Sequence, residues 1–285
     1  MRGVWRVRQW WQRQRLRHLT RRAEAAVASF PTLRSRHAHG LGAPLILTLT
    51  SYPPRFATLD KTLRSLLDQT IRPDRTILWI AAHDVGSLPE SVRALEPFGL
   101  EIRTCDDLRS FKKLVPALQA FPDSYFVTAD DDVYYPPQWL ESLVAESRAA
   151  PGHVIGARVH LAGLSADGML LPYARWELAT SRRSADDTRT RLFPTGVGGI
   201  LYPPGAFVGD VLDERLFTTL CPHGDDIWFF WMARLAGAGH RRARDWFDII
   251  SWPQSQDVAL CNENLFNDRN DAQIRAMEAH YGPVR

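Results

Sequence analysis

Three consecutive aspartates, Asp130, Asp131 and Asp132, interrupt the run Tyr125–Pro137 (Y-F-V-T-A-D-D-D-V-Y-Y-P-P). Tyr125, Phe126 and Val127 are β-formers, so the acids stand at the end of a short apolar strand. Adjacent carboxylates repel one another, burial raises their pKa values further, and no basic residue follows before Arg148. A divalent cation removes that cost, because Mg²⁺ and Mn²⁺ prefer hard carboxylate oxygens. A solvated acidic turn is the plain alternative, and three acids directly after an apolar strand weigh against it. Pro136 and Pro137 end the loop, and Pro137 suits the first turn of a helix over Gln138–Arg148. Strand, acidic loop, helix is the place where an open α/β sheet holds its ligand.

A second acidic pair lies about ninety residues on, in Cys221-Pro222-His223-Gly224-Asp225-Asp226, just before an apolar helix over Ile227–Ala236. Asp225 and Asp226 read equally as helix caps and as a positioned base. A carboxylate beside Trp228, Phe229, Phe230 and Trp231 is partly desolvated and more basic. The chain has only three lysines, Lys61, Lys112 and Lys113, against a large excess of arginine. Two of them open the helix before the acidic strand, where a lysine pairs with a phosphate or with the acids themselves. Thr195-Gly196-Val197-Gly198-Gly199 leaves the backbone free for a close approach or for positive φ. Its spacing matches neither a dinucleotide nor a phosphate-loop fingerprint.

The elements that must position these groups begin at Pro44. Leu45–Thr50 is a continuous apolar strand, broken by Ser51-Tyr52-Pro53-Pro54. Strands over Thr76–Ala81, Leu100–Thr104 and Tyr125–Ala129 follow, with helices around Leu59–Gln69, Pro89–Leu95 and Phe111–Phe121 between them. Strands every 25–30 residues with helices between them predict βαβ units and a mostly parallel sheet covered on both faces. His153–Val159 is strand-like, residues 160–192 read as an insertion or mobile flap, and Asp271–His280 closes the chain as a helix. The tail Gln254–Asn270 is polar and carries Asn262, Asn264, Asn267 and Asn270.

The net charge of +3 hides an asymmetry. Residues 1–40 hold ten arginines and one acid (Glu24), hence +9, and the remainder carries −6. Residues 2–28 contain no proline and read as an imperfectly amphipathic helix rich in Arg, Gln, Trp and Ala, followed by a linker over Pro31–Gly42. Trp with Arg is the composition of an interfacial helix that meets anionic lipid; a disordered basic arm and a partner-binding helix are the alternatives. The acidic remainder and the lack of a recognition motif argue against a nucleic-acid partner. Cys105, Cys221 and Cys261 are too few and too scattered for a disulfide framework or a zinc site. No run of 18 apolar residues and no signal-peptide core occur, so the expected place is the cytoplasm, with peripheral contact at the inner face of the membrane.

From Pro44 to Asp248 the pattern resembles the GT-A glycosyltransferases, and among them bacterial family 2-like enzymes. The likeness rests on Thr50-Ser51-Tyr52 with L-x-x-T-L-x-S-L-L-x-Q-T (Leu59–Thr70) and Pro73-Asp74, on Asp130-Asp131-Asp132, on Gly198-Gly199, and on Gly224-Asp225-Asp226. It implies an α/β GT-A fold over residues 43–285, preceded by the basic helix and linker of residues 1–42. It further implies that Thr50, Ser51 and Tyr52 line the nucleotide, with Asp130 and Asp131 at the ribose or diphosphate. Asp130 and Asp132 look like the D-x-D acids that hold Mn²⁺ or Mg²⁺, and Lys113 suits the departing diphosphate. Gly198, Gly199 and His223 fall on the acceptor side. Gly224-Asp225-Asp226 resembles the G-E-D motif whose last acid deprotonates the acceptor; here Asp225 replaces Glu, so either carboxylate is the candidate base. The Q-x-x-R-W element of processive enzymes is absent. The implied activity is metal-dependent, inverting transfer of one sugar from a UDP- or GDP-sugar to a glycan or lipid-linked acceptor, as in bacterial surface polysaccharide assembly. A nucleotidyltransferase, whose first loop is usually Gly-rich and basic, and a non-catalytic nucleotide-sugar-binding protein at the membrane surface are the alternatives.

Overall fold

The computed structural model describes residues 2–33, 36–184, 190–245, 247–253, 255 and 269–284. Helix α1 covers Arg2–Ala28, the range its composition predicts. The main sheet is then built from β1 (Leu45–Thr50), β2 (Arg75–Ala81), β3 (Leu100–Cys105), β4 (Tyr125–Thr128), β5 (Val154–Gly156), β8 (Ile200–Tyr202) and β9 (His240–Arg242). A side pair, β6 (Val159–Gly163) and β7 (Thr190–Pro194), stands apart from it. The helices that matter for the site are α2 (Phe56–Leu67), α3 (Val115–Ala120), α4 (Trp139–Ala149), α5 (Asp225–Leu235) and α6 (Arg269–Tyr281).

The seven strands lie in the order β9-β5-β8-β4-β1-β2-β3. All neighbours are parallel except at β8, which runs antiparallel to β4 on one side and β5 on the other. The sheet is therefore mostly parallel, as the alternating strand and helix pattern predicts. Period-2 alternation divides each strand between two cores. Leu45, Leu47, Leu49, Val127 and Leu201 face Leu59 and Leu63 of α2 and Leu140 and Leu143 of α4. Ile46, Phe126, Ile200 and Tyr202 face Val115 of α3, Trp228 and Phe229 of α5, and Ile274 and Met277 of α6.

Three expectations need correction. The helix expected over Phe111–Phe121 is broken: a 3-10 turn spans Arg109–Lys113 and α3 starts afresh at Val115. Pro116, lacking an N–H, fits the first turn of a new helix and not the interior of an old one. The break turns Lys112 and Lys113 inward, at 3% and 8% exposure. The strand expected over His153–Val159 splits into β5 and β6. Residues 160–192, expected as an insertion or a mobile flap, pack over their described part (160–184 and 190–192) through the β6–β7 pair and a cluster of Tyr173, Trp176, Phe193 and Phe230. Such clustering is irregular in sequence, so periodicity does not reveal it. Of the polar tail, residues 256–268, with Asn262, Asn264 and Asn267, lie outside the described residues.

The segment expected as a linker touches the body at several points, among them His39 Nε2, 3.0 Å from Asp74 Oδ2. His37–Ala38 pairs with Ile71–Arg72, and the Asp68 carboxylate accepts the Leu33 N–H at 3.0 Å and the Thr32 N–H at 3.1 Å. Ala23 and Val27 of α1 pack against Ile250 and Trp252.

Candidate active site

Parallel pairing of β1 with β4 (Thr48 opposite Thr128) ends both strands at the same edge of the sheet. Antiparallel β8 begins there, with Ile200 opposite Thr128, so residues 195–199 arrive at that edge too. Residues about 80 positions apart therefore meet at Asp130–Asp132, in the crevice outside the carboxyl ends of the strands.

Ser51 Oγ donates to Asp131 Oδ2 at 2.5 Å. The Arg55 guanidinium, 8% exposed, ion-pairs with Asp132 and lies 3.7 Å from Asp131 Oδ1. It also hydrogen-bonds Tyr52. The Thr50 hydroxyl is spent on the sheet, donating to Trp79 O at 2.8 Å. The Asp130 backbone N–H donates to Tyr135 Oη at 2.8 Å, which fixes the loop from below. Burial raises the Asp131 carboxyl to about 7, with Ser51 and Arg55 opposing and the flanking acids adding to it. Asp130 is also raised: burial is the main cause, Lys113 pulls it back, and Asp132 and Asp225 push it up again.

Lys113 joins the two acidic clusters. Its Nζ lies 2.8 Å from Asp225 Oδ2 and 3.5 Å from Asp130 Oδ1. Burial works to lower the pKa of this ammonium, but Asp225, Asp130 and Asp226 together hold it well above its ordinary value. Lys112 turns away to Asp107 Oδ1, 2.6 Å off. The helix-cap reading of the second pair does not describe these contacts, because Gly224 occupies the N-cap and no side chain caps there. Asp225 faces Lys113 instead. Asp226 Oδ2 accepts the Gly196 N–H at 2.8 Å. Burial, with Asp225 adding, raises the Asp226 carboxyl, and Lys113 and the Gly196 bond only partly offset that.

The three glycines of the 195–199 run play different parts. A Cβ on Gly196 would sit 2.9 Å from both Asp226 Oδ1 and Lys113 Nζ. Gly199, at φ +94°, would place a Cβ 2.4 Å from the Trp139 ring, and Gly198 O accepts the Trp139 Nε1–H at 2.6 Å. Gly198 and Gly199 thus pack on Trp139, and Gly196 is the one against the carboxylates. His223 is exposed, and its backbone N–H donates to Gln273 Oε1 of α6 at 2.9 Å.

Sequence reasoning missed Arg55, Gly196 and Arg158. Arg55 follows the first strand, and its relevance appears once β1 and β4 are known to be neighbours. Gly196 lies in the glycine run but is not the pair the family likeness points to. The Arg158 backbone O accepts the Thr195 N–H at 3.1 Å, one residue from Gly196. Among the described residues its guanidinium has no hydrogen-bond or ion-pair partner. It lines a cavity beside the acidic loop with Tyr135, Trp139, Gly198, Asp248 and Ile249.

Charge decides whether a divalent cation fits. Asp130, Asp131, Asp132, Asp225 and Asp226 face two buried cations, Arg55 and Lys113, which leaves an excess of acid. Burial is the main cause of the raised carboxyls of Asp130, Asp131 and Asp226, and the neighbouring acids add to it. Among the described residues no three metal-ligating side chains converge on one point. A cation held by two carboxylates and completed by phosphate oxygens and water suits this arrangement, which is the habit of Mg²⁺.

No protein-family model matches the chain, and no curated protein matches it. Among solved structures it is similar to glucosyl-3-phosphoglycerate synthase from Mycobacterium tuberculosis, in complex with Mn²⁺, UDP and glucosyl-3-phosphoglycerate. That likeness has 15% identity and a TM-score of 0.31, covering 40% of this chain and 43% of the synthase. It is also similar to CMP:2-keto-3-deoxy-manno-octonic acid synthetase complexed with CTP, at 13% identity and a TM-score of 0.43, covering 79% of this chain and 99% of the synthetase. Such likeness carries no argument about chemistry.

Proposed function

We propose that this chain is a glycosyltransferase that moves one sugar, with inversion, from a UDP- or GDP-sugar to a hydroxyl of a glycan or lipid-linked acceptor. The observation that carries this reading is Asp226: a partly exposed carboxylate with a raised pKa, fixed by the Gly196 N–H and set across Lys113 from the Asp130 loop. A proton acceptor placed opposite a cation-binding acidic loop is what direct displacement at a sugar carbon requires.

Asp130 and Asp132 are the residues that would hold Mn²⁺ or Mg²⁺, which supplies charge stabilisation for a diphosphate leaving group. Ser51 and Arg55 orient the loop by holding Asp131 and Asp132. The acceptor oxygen forms a bond to C1, the bond from C1 to the phosphate oxygen breaks with its electron pair leaving on the diphosphate, and the hydroxyl proton passes to Asp226. Its raised pKa brings this base closer to the proton it must take near neutral pH. Lys113 keeps Asp225 paired, so that the neighbouring carboxylate does not push Asp226 further up. Arg158, whose guanidinium has no partner among the described residues, is placed for a negatively charged group on the acceptor.

Incubation with a panel of nucleotide sugars and Mn²⁺ tests the reading. Release of UDP or GDP coupled to sugar transfer supports it. Pyrophosphate release from a nucleoside triphosphate would move the chain to the nucleotidyltransferases, and binding of a donor without turnover would make it a non-catalytic binder.

A further inference from the structure

The proposed chemistry does not use α1. Its C-terminal half is docked: Ala23 and Val27 are 1% and 6% exposed against Ile250 and Trp252, with Leu19 packed beside them. Its earlier part overhangs the body. Trp10, Trp11 and Leu16 are 53%, 63% and 51% exposed, and the two indoles meet edge to face at 4.8 Å. They are three of the seven large hydrophobics exposed on the described chain, gathered within seven residues. Arg17, Arg21 and Arg22 are exposed beside them and form no ion pair among the described residues. Arg15 is held differently, donating to Asp248 Oδ1 and Oδ2 at 3.0 and 2.8 Å.

We infer that α1 seats the protein on an anionic lipid bilayer, with Trp10 and Trp11 in the headgroup region and Arg17, Arg21 and Arg22 on lipid phosphates. Two features select this partner. Exposed indoles prefer the interface between headgroups and acyl chains, and unpaired arginines are drawn to a negative surface. Pairing with the α1 of a second copy is disfavoured, since its residues 1–40 also carry +9. The seat lies close to the site. Trp252, which α1 covers, donates its backbone N–H to Asp132 O at 3.0 Å and its Nε1–H to Thr62 Oγ1 at 2.8 Å. Asp248, the partner of Arg15, lines the cavity that also holds Arg158. Provided the transferase reading holds, an acceptor anchored in the bilayer is then presented at the mouth of the site.

Sedimentation of the full chain with vesicles tests the seat without any donor or turnover, so its failure is separate from failure of the transferase reading. Vesicles of phosphatidylcholine with roughly 30% phosphatidylglycerol, the charge density of an anionic leaflet, should carry the protein down, and pure phosphatidylcholine should not. Trp10→Ser with Trp11→Ser should weaken binding at least about tenfold. Changing Arg17, Arg21 and Arg22 to Gln should weaken it on the order of a hundredfold, at about fivefold per arginine. Neither set should move the melting temperature or UDP release with a soluble acceptor. Equal sedimentation with both vesicle types, or binding untouched by either set, overturns the inference. So does a clear preference for duplex DNA or RNA over the anionic vesicles.

Discussion

Gly196 leaves no spare room beside the one acid and the one cation it faces, Asp226 and Lys113. Any side chain there must displace Asp226 or Lys113, since a Cβ would lie 2.9 Å from each. Gly196→Ala should therefore cut turnover by about tenfold or more with a far smaller change in melting temperature; a variant as active as wild type would remove Asp226 from the site. Asp226→Asn keeps the shape and loses the base, so turnover should fall about 10²–10⁴-fold while calorimetry still shows donor binding. The pH profile has a defined sign. Asp226, held up at about 7, works only when ionised, so kcat/KM should rise with pH through about 7 and then level. Stability runs the other way. A carboxyl whose folded pKa is raised adds stability that is full below its unfolded pKa, about 4, and is lost as pH rises through about 7. The difference in melting temperature between wild type and Asp226→Asn should widen over that window. At this scale the sequence exposed the acids and Lys113 by their rarity and clustering. It left Arg158 anonymous among the arginines, and it gave no sign that Thr50 spends its hydroxyl on Trp79.

Elements bring together what sequence separates. Arg55 and Asp132 lie 77 positions apart and meet because β1 and β4 are parallel neighbours. The expectation that a divalent cation relieves the acidic loop was drawn from neighbours along the chain, and the strand pairing adds a guanidinium that linear reading cannot see. Arg55→Met leaves Asp132 buried without its cation, and removing one partner of such a pair costs about 3–5 kcal/mol. The variant should melt well below wild type, and Mn²⁺ should restore part of the loss, read by differential scanning calorimetry. No recovery with Mn²⁺ would argue against a cation at Asp130 and Asp132. Gly199→Ala belongs here as well. It presses a methyl group onto Trp139 and Thr128 O at a positive φ, so it should destabilise by at least about 1–3 kcal/mol without changing pH dependence. The break before α3 was legible in principle, since Pro116 is visible in the sequence. Its effect on Lys113 was not, because the inward turn depends on the preceding 3-10 segment.

Among the described residues two large apolar cores are divided by one sheet, with smaller clusters under α1 and at β6–β7 and the acids at the sheet's rim. That layering was legible because buried parallel strands are apolar throughout and recur at regular intervals. The β6–β7 pair was not, because its burial comes from an irregular aromatic cluster and its partners are about thirty residues apart. Chelation should act at this scale: EDTA should abolish sugar transfer, and Mn²⁺ or Mg²⁺ should restore it, with full activity in chelator counting against the cation.

Strand β8 has a consequence for how the molecule folds. It pairs three residues with β4 and two with β5, against the direction of both. A slip of one residue along β4 would carry Gly196 about 3.4 Å from its place and turn Ile200 and Leu201 to the wrong cores. Two such short ladders leave the register to be fixed by the fit of Gly199 on Trp139 and of Gly196 on Asp226. Misregistered molecules would keep nearly all their secondary structure but leave Asp226 without the Gly196 N–H that fixes it, so during refolding the recovery of turnover should lag behind the recovery of the helical signal.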